Sequence, residues 1–334
     1  MKIAISSKIV MKEAISTDFI IRPYRPGDEK AINERFNQIF GLHRDLKEWY
    51  WKFQSSNESQ ILLAFDLNRN LVSHFGVLKE DFIYNGKIYH AGHSVDNFSA
   101  RIPAAVQQGI FYKLAQQFFD KHGNPEEFSI IYGFPGTRNL RLGIHKLNYG
   151  TPFPIRYWEK SLTETTFSKL DRIKDNHDIH SKKIDQLWQK ASRRYSVSIV
   201  RDSLWIKKRY VSRPANNYRF LRTKYWGAYS SFCVYTCEED NLQVVDLIWD
   251  GRRKKDLEKL EELLTRIAFQ SRALRISMWL SGDPEAEKIF AKKGWRQFQE
   301  PHDLHLVILS FNKEMKKQML FDHFYLTKGC TDII

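Results

Sequence analysis

Cysteine is scarce in this chain. There are three in 334 residues, Cys233, Cys237 and Cys330, and an odd, sparse set makes no disulfide framework. Cys233 and Cys237 stand four apart in a strand-like run with no second Cys or His pair beside them, so no metal site is expected. No run approaches the roughly 20 apolar residues of a membrane span. The opening MKIAISSKIVMKEAIS is broken by Lys8, Lys12 and Glu13, unlike a secretory signal. The expectation is a soluble, cytoplasmic protein. Glycine (16) and proline (10) are too few for a collagen-like or low-complexity chain. Acidic residues are in deficit: 39 against 53 Lys and Arg, a formal net charge of +14. Such a field favours anionic partners, whether phosphorylated cofactors, nucleic acid, acidic sugars or a membrane surface.

What is present points to two packed units. Hydrophobic residues make up 42% and aromatic residues 14%, enough for two cores. The length suggests two domains at about 100–200 residues each. DFIIRPYR reads as a strand and PGDEKAINERFNQIFG as a helix, with Ile32, Phe36 and Ile39/Phe40 on one face and Gly41 at its end. LKEWYWKF is a short aromatic helix. Residues 61–99 read as a meander with turns at Asn68-Arg69-Asn70 and Asn85-Gly86. ARIPAAVQQG reads as a loop into the helix IFYKLAQQFFDKHG. The strand FSIIYGF, the helix TRNLRLGIHKLNYG and the strand FPIRYWEK follow. Strand–helix–strand succession implies at least one parallel pairing, hence an α+β sheet, mixed and mostly antiparallel, with flanking helices. Residues 161–183 are polar and read as a linker. The same ordering then repeats, from IDQLWQKASRR through three strands, the amphipathic helix DLEKLEELLTRIAFQSRA, LRISMWL, PEAEKIFAKKG and a last strand LHLVILSF. The division expected is 1–17 extension, 18–160 first domain, 161–183 linker, 184–312 second domain and 313–334 peripheral tail, two similar domains in tandem.

The most informative stretch is SVDNFSARIPAAVQQGIFYKLAQQFF. A strand ends, a loop containing Gly109 follows, and a helix begins. Free amides and the helix dipole at such a start suit a phosphate. Val106-Gln107-Gln108-Gly109-Ile110-Phe111 resembles the acetyl-CoA turn of the GNAT N-acyltransferase superfamily. FIIRPYRPGDEKAINERFNQIFG is similar to that family's opening strand and helix. WYWKF and IIYGFPGTRNLRLGIHKLNYG resemble segments of members found with polysaccharide-biosynthesis proteins. The likeness covers roughly residues 18–158. A fainter one covers the second half, where AEKIFAKKGWRQF resembles the family's closing helix and DGRRKKD stands in place of a glycine-rich loop, so the second domain reads as degenerate.

The resemblance implies two tandem GNAT-like domains and transfer of an acyl group, acetyl or similar, from CoA to an amine such as an aminosugar or small metabolite. It implies that Gln107, Gln108, Gly109, Ile110 and Phe111 cradle the CoA diphosphate and that Asn139, at the next helix start, belongs to the same site. A backbone amide around Phe98 and Ser99 would polarise the thioester carbonyl. Asp96 is the candidate base, with capping the loop as its alternative role. The tyrosine that relatives use to protonate the thiolate falls near Ile144 and Phe290, neither of which donates a proton. His145, one residue from the first of these positions, is the candidate proton shuttle. Arg101 is placed to replace the arginine that Val106 displaces. Other functions stay open on the residues alone. They are Fem-type aminoacyl transfer, a non-catalytic CoA-binding scaffold, and nucleic-acid binding through 192–214 and 218–226, for which no recognised motif is present.

Overall fold

The computed structural model describes residues 19–54, 59–150, 152–162, 179–215 and 217–332. The expected N-terminal extension and most of the expected linker lie outside the described residues. The first half runs β1 (Phe19–Pro23), α1 (Asp28–Phe40), α2 (Leu46–Gln54), β2 (Gln60–Asp66), β3 (Leu71–Tyr84), β4 (Lys87–Ser99), α3 (Pro103–Gln107), α4 (Ile110–His122), β5 (Ile130–Gly133), α5 (Thr137–Lys146), β6 (Phe153–Pro154) and β7 (Tyr157–Ser161). The second runs α6 (Ser181–Ala191), β8 (Val197–Ile199), α7 (Ser203–Ile206), β9 (Arg219–Tyr225), β10 (Ala228–Glu238), β11 (Asn241–Trp249), α8 (Lys254–Gln270), β12 (Arg275–Trp279), α9 (Pro284–Lys292), β13 (Arg296–Phe298), β14 (His305–Ser310), α10 (Lys317–His323) and β15 (Phe324–Tyr325).

Local chemistry sets many of these boundaries. The amides of Arg25 and Gly27 donate to the carboxylates of Asp28 and Glu29, which close the start of α1. Gly41, at φ 65°, ends it. On α4, Ile110, Leu114, Ala115, Phe118 and Phe119 are buried, a helical stripe laid on the first sheet. The other face of that sheet carries α1 and α2, with Ile32, Phe36, Trp49 and Phe53 in its core. ARIPAAVQQG departs from the loop expected of it, since Pro103–Gln107 forms α3, with proline at a helix start where its missing N–H is no loss.

Two sheets result, ordered β1-β2-β3-β4-β5-β14-β6 and β13-β7-β12-β11-β10-β9. Most pairings are antiparallel. The parallel ones include β4–β5 and β11–β12, where a helix must cross between strands. The closing strands are exchanged. FPIRYWEK, read from sequence as the first half's own last strand, is split: Phe153–Pro154 stays with the first sheet, whereas Tyr157–Ser161 pairs along β12 of the second. In return β14 inserts between β5 and β6 of the first sheet. Each strand is buried on both faces in its host sheet, Tyr157 and Trp158 in one and Leu306, Val307 and Ile308 in the other.

The tail expected to be peripheral is central. Leu320, Phe324, Tyr325, Leu326 and Cys330 are buried. β15 pairs with β8, which itself pairs antiparallel with the end of β3. A chain this apolar has no stable place on the surface, and it packs between the two sheets with Tyr132, Tyr157 and Trp279.

Candidate functional site

Strands β4 and β5 pair only over Ala91–His93 and Ile130–Tyr132. Beyond that the strands part, and a cavity of about 1500 Å³ opens between Ser94–Arg101 on one side and Gly133–Thr137 on the other. It reaches the head of α4 at one end. At the other it meets a wall built from the second half, including Thr236, Glu238, Gln243 and Lys328. Small-ligand sites usually occupy about 300–1,000 Å³, so this volume admits more than one modest ligand.

A bulge shapes the β4 side. Pairing with β3 steps from His74–Phe98 to Gly76–Val95, leaving Asp96 and Asn97 opposite one residue. Asp96 takes φ 54°, a left-handed conformation that aspartate tolerates. Its carboxylate is buried between two cations. Lys52 Nζ lies 2.8 Å from Oδ1, and the Arg44 guanidinium donates to Oδ2. Arg44 is held in turn by Asn33 Oδ1 at 2.7 Å and lies over the Phe36 ring, 3.8 Å from its centroid. Burial favours the neutral acid, but Lys52 and Arg44 outweigh it and hold the Asp96 pKa far below the usual carboxylate range. Burial likewise opposes charge on Lys52, and Asp96 with Asp332 outweighs it, so Lys52 stays an ammonium. Asp332, from the tail, lies 3.1 Å from Lys52 Nζ and lines the cavity. Its side chain is 18% exposed, against 2% for Asp96.

Two buried histidines flank the bulge. His74 Nδ1 bonds the Asp96 carbonyl oxygen at 2.9 Å. His93 stacks on Tyr132, with ring centroids 4.7 Å apart. Burial lowers the pKa of His74 to about 4 and that of His93 to about 3, so both are neutral at physiological pH.

The sequence candidates divide clearly. Phe98, Ser99, Gly109, Ile110, Phe111 and Asn139 line the cavity together with Asp96. Gln107 and Gln108 do not. The Gln108 amide donates to Ala104 O and the Gly109 amide to Val106 O, because α3 has taken them into a helical turn. The cradle expected over 107–111 therefore narrows to the amides of Ile110 and Phe111, which head α4 and have no carbonyl four residues back in the helix. Gly109 caps α4 at φ 62°, and a Cβ there would meet only Tyr112 at 3.7 Å, so the approach is open. Ala100 N–H donates to Val72 O at 2.8 Å. The antiparallel ladder alternates, so the Phe98 amide faces β3 and the Ser99 amide faces the gap. His145 is exposed on α5 and does not line the cavity. Ile144 beside it is 38% exposed.

Sequence reading singled out none of Arg44, Lys52, Asp332 and Tyr149. Tyr149 lines the cavity and packs over Gly143. Burial, then Tyr112, raises its pKa to about 12, so it carries its proton at neutral pH.

The second sheet repeats the parting, without the opening. β11 and β12 pair over Asn241–Val244 and Arg275–Met278, and the tail fills the space beyond. Tyr325 Oη donates to Leu247 O at 2.6 Å, and Thr327 Oγ1 to Asp246 Oδ1 at 2.8 Å. Asp246 sits at this sheet's own bulge and pairs with the buried Arg201 at 3.0 Å. Gly329 fits because a Cβ would lie 2.3 Å from Tyr210 Oη. Where a phosphate loop would stand, Arg194 closes over Gly251 and Trp249 and pairs with Asp283.

No protein-family model matches the chain, and no curated protein matches it significantly in sequence. Solved structures do match in shape. A probable N-acyltransferase of unknown function from Enterococcus faecalis is 11% identical, with 91% of this chain and 74% of that one covered at a TM-score of 0.61. A GCN5-related N-acetyltransferase from Anabaena variabilis is 11% identical, with 88% and 73% covered at 0.63. The N-myristoyltransferase of Saccharomyces cerevisiae with bound myristoyl-CoA is 10% identical, with 88% and 83% covered at 0.55. The chain has the fold of the GNAT N-acyltransferases along about nine-tenths of its length.

Proposed function

We propose that the protein is an acyl-CoA-dependent N-acyltransferase with one active centre, in the gap between β4 and β5. The observation that carries this reading is the single cavity joining three features: the head of α4, the parted strands at the bulge, and the wall from the second half. The likeness in fold to proteins described as N-acetyltransferases and as an N-myristoyltransferase with myristoyl-CoA supports it. The donor is an acyl-CoA, acetyl-CoA being the simplest, and the acceptor is an amine such as an aminosugar or small metabolite.

Each role follows from placement. The amides of Ile110 and Phe111, with the α4 dipole, receive the diphosphate, and Arg101 at the cavity rim adds a cation. The gap-facing Ser99 amide stabilises the developing oxyanion, a contribution of about 3 kcal/mol. Asp96 is already ionised and doubly paired, so it positions Lys52 and Arg44 and does not accept the amine's proton. Asp332 is the carboxylate open to the cavity beside the bulge, and it takes that proton. Tyr149, protonated by virtue of its burial, returns one to the thiolate. His145, off the cavity, has no part in the transfer.

Calorimetric titration with acetyl-CoA tests the site. The wild type binds, Gly109→Ala binds with at most a few-fold loss, and Gly109→Glu does not bind, because its carboxylate repels the diphosphate while sharing the backbone strain of the alanine variant. Equal binding by all three would remove the diphosphate site from α4. Release of free thiol across a panel of amines then reads the acceptor class.

A further inference from the structure

The β9–β10 hairpin ends in a feature that neither the fold nor the acyl-transfer site requires. Its two-residue turn is Trp226-Gly227, with Tyr225 opposite Ala228. Both turn residues have positive φ, 49° and 77°. Asparagine followed by glycine suits such a turn, whereas a bulky aromatic in the left-handed region is strained. Trp226 gains little burial in exchange, being 91% exposed with the Tyr225 ring beside it. Tyr225 beside it is 44% exposed, with its ring 5.7 Å from that of Trp226. A strained, solvent-facing indole is an outlier for which stability gives no reason.

Its surroundings are basic. Arg253 lies over the Tyr225 ring, 3.9 Å from its centroid. Lys183 donates to Gly227 O at 3.0 Å. Lys224 precedes the turn, and Arg252, Lys254 and Lys255 stand with Arg253 where β11 passes into α8, an end that Asp250 N–H ties to Ser230 O of β10. Against these six cations stand Asp250, Asp256 and Glu285. Asp256 is buried 3.9 Å from Arg253, and Glu285 is shared by Lys254 at 3.3 Å and Arg194 at 3.7 Å. Arg252 and Lys255 are exposed. The chain's net charge of +14 gives this tip a field of the same sign.

We propose that this edge of the second sheet docks on an anionic lipid surface, with Trp226 and Tyr225 entering the headgroup layer and the surrounding cations meeting the phosphates. An amphipathic aromatic pair at an exposed tip, ringed by lysine and arginine, matches the interfacial zone of a bilayer, where rings sit at headgroup level and each cation adds to the attraction. The charge and the isolated apolar tip favour this occupant over a second copy of the chain, whose own net charge repels it.

Co-sedimentation of the full chain with vesicles tests this. The protein pellets with vesicles of phosphatidylglycerol and phosphatidylcholine in equal parts, stays in the supernatant with phosphatidylcholine alone, and is released by high salt. Trp226→Asn lowers the affinity for the mixed vesicles by about tenfold or more, yet raises the urea midpoint because it relieves the turn. Lys224→Glu with Lys255→Glu weakens binding with the fold intact. Failure of the wild type to bind the mixed vesicles, or unchanged binding by Trp226→Asn, overturns the proposal. So does a single-stranded oligonucleotide that binds this edge while the vesicles do not, or a dimer that Trp226→Asn abolishes in the absence of vesicle binding.

Discussion

Replacing Asp96 with asparagine separates a structural charge from a catalytic one. Asparagine accepts the same left-handed conformation at φ 54° and occupies nearly the same volume, so the change is chiefly the loss of one charge. At 2.8 Å, the Lys52–Asp96 attraction is about 6 kcal/mol at an effective dielectric of about 20. Desolvation of the partners offsets part of this, and breaking a buried pair leaves a net cost of about 3–5 kcal/mol. Arg44 then faces Lys52 with no intervening anion, while Asp332 still meets Lys52 at 3.1 Å, so the expected loss lies within that range. Urea unfolding followed by circular dichroism measures it. Thiol release, normalised to folded protein, is expected to fall by less than about tenfold, whereas loss of a general base costs about 10²–10⁴. A variant of wild-type stability whose turnover drops a thousandfold would refute the assignment and make Asp96 the base.

Acid sensitivity should come from the two buried histidines. In the unfolded chain they take up protons below about 6.5. In the folded protein they stay neutral down to about 4 for His74 and about 3 for His93. The unfolded state therefore binds more protons, and stability falls with pH from about 6.5, by roughly 1.4 kcal/mol per pH unit for each histidine. His93→Phe, which keeps the stack on Tyr132, should flatten that slope by about one proton, and an unchanged slope counts against the burial argument. Tyr149→Phe should lower kcat by about 10²-fold or more with acyl-CoA affinity unchanged; a KM effect alone would make Tyr149 a packing residue. Residues 1–162 and 179–334, expressed separately, should each fail to unfold cooperatively, and co-expression should restore a folded complex. A stable isolated half would contradict the strand exchange.

Much of the fold was legible because its signals are local. The turns at Asn68-Arg69-Asn70 and Asn85-Gly86 marked the meander of β2 to β4, and IFYKLAQQFFDKHG marked α4. The exchanged strands were not legible, since Tyr157–Ser161 and His305–Ser310 read as strands whichever sheet receives them, and periodicity carries no partner's name. The same limit hid the charges on Asp96. Arg44 and Lys52 lie 52 and 44 residues upstream. One signal was available: Lys52 shares the buried face of α2 with Trp49 and Phe53, and a lysine on an apolar stripe needs a buried anion. Read as a short aromatic helix, WYWKF concealed the lysine within it. Gly109 was rightly placed at a helix start, but Pro103 opened an earlier turn, and that turn consumed two of the amides assigned to the diphosphate.

The exchange also explains why, among the described residues, one of the two sheets has an open gap and the other has not. β11 and β12 pair in parallel over a short stretch and then part, as β4 and β5 do. The tail that follows β14 must leave the first sheet, and its apolar residues from Phe324 to Cys330 find cover in that second gap. Having filled it, the chain emerges at Lys328 and Asp332 in the wall of the first cavity. Burying the tail thus closes one site and supplies polar groups to the other. Lys328 shows how confined that wall is: burial lowers its pKa against the pull of Glu300 and Glu238, and its ammonium is fixed 2.6 Å from Gln243 Oε1. On the proposed acyl-transfer reading, an acceptor reaching from the bulge toward the second sheet would meet these fixed groups, which would give acceptor selection to the half whose own gap the tail fills among the described residues.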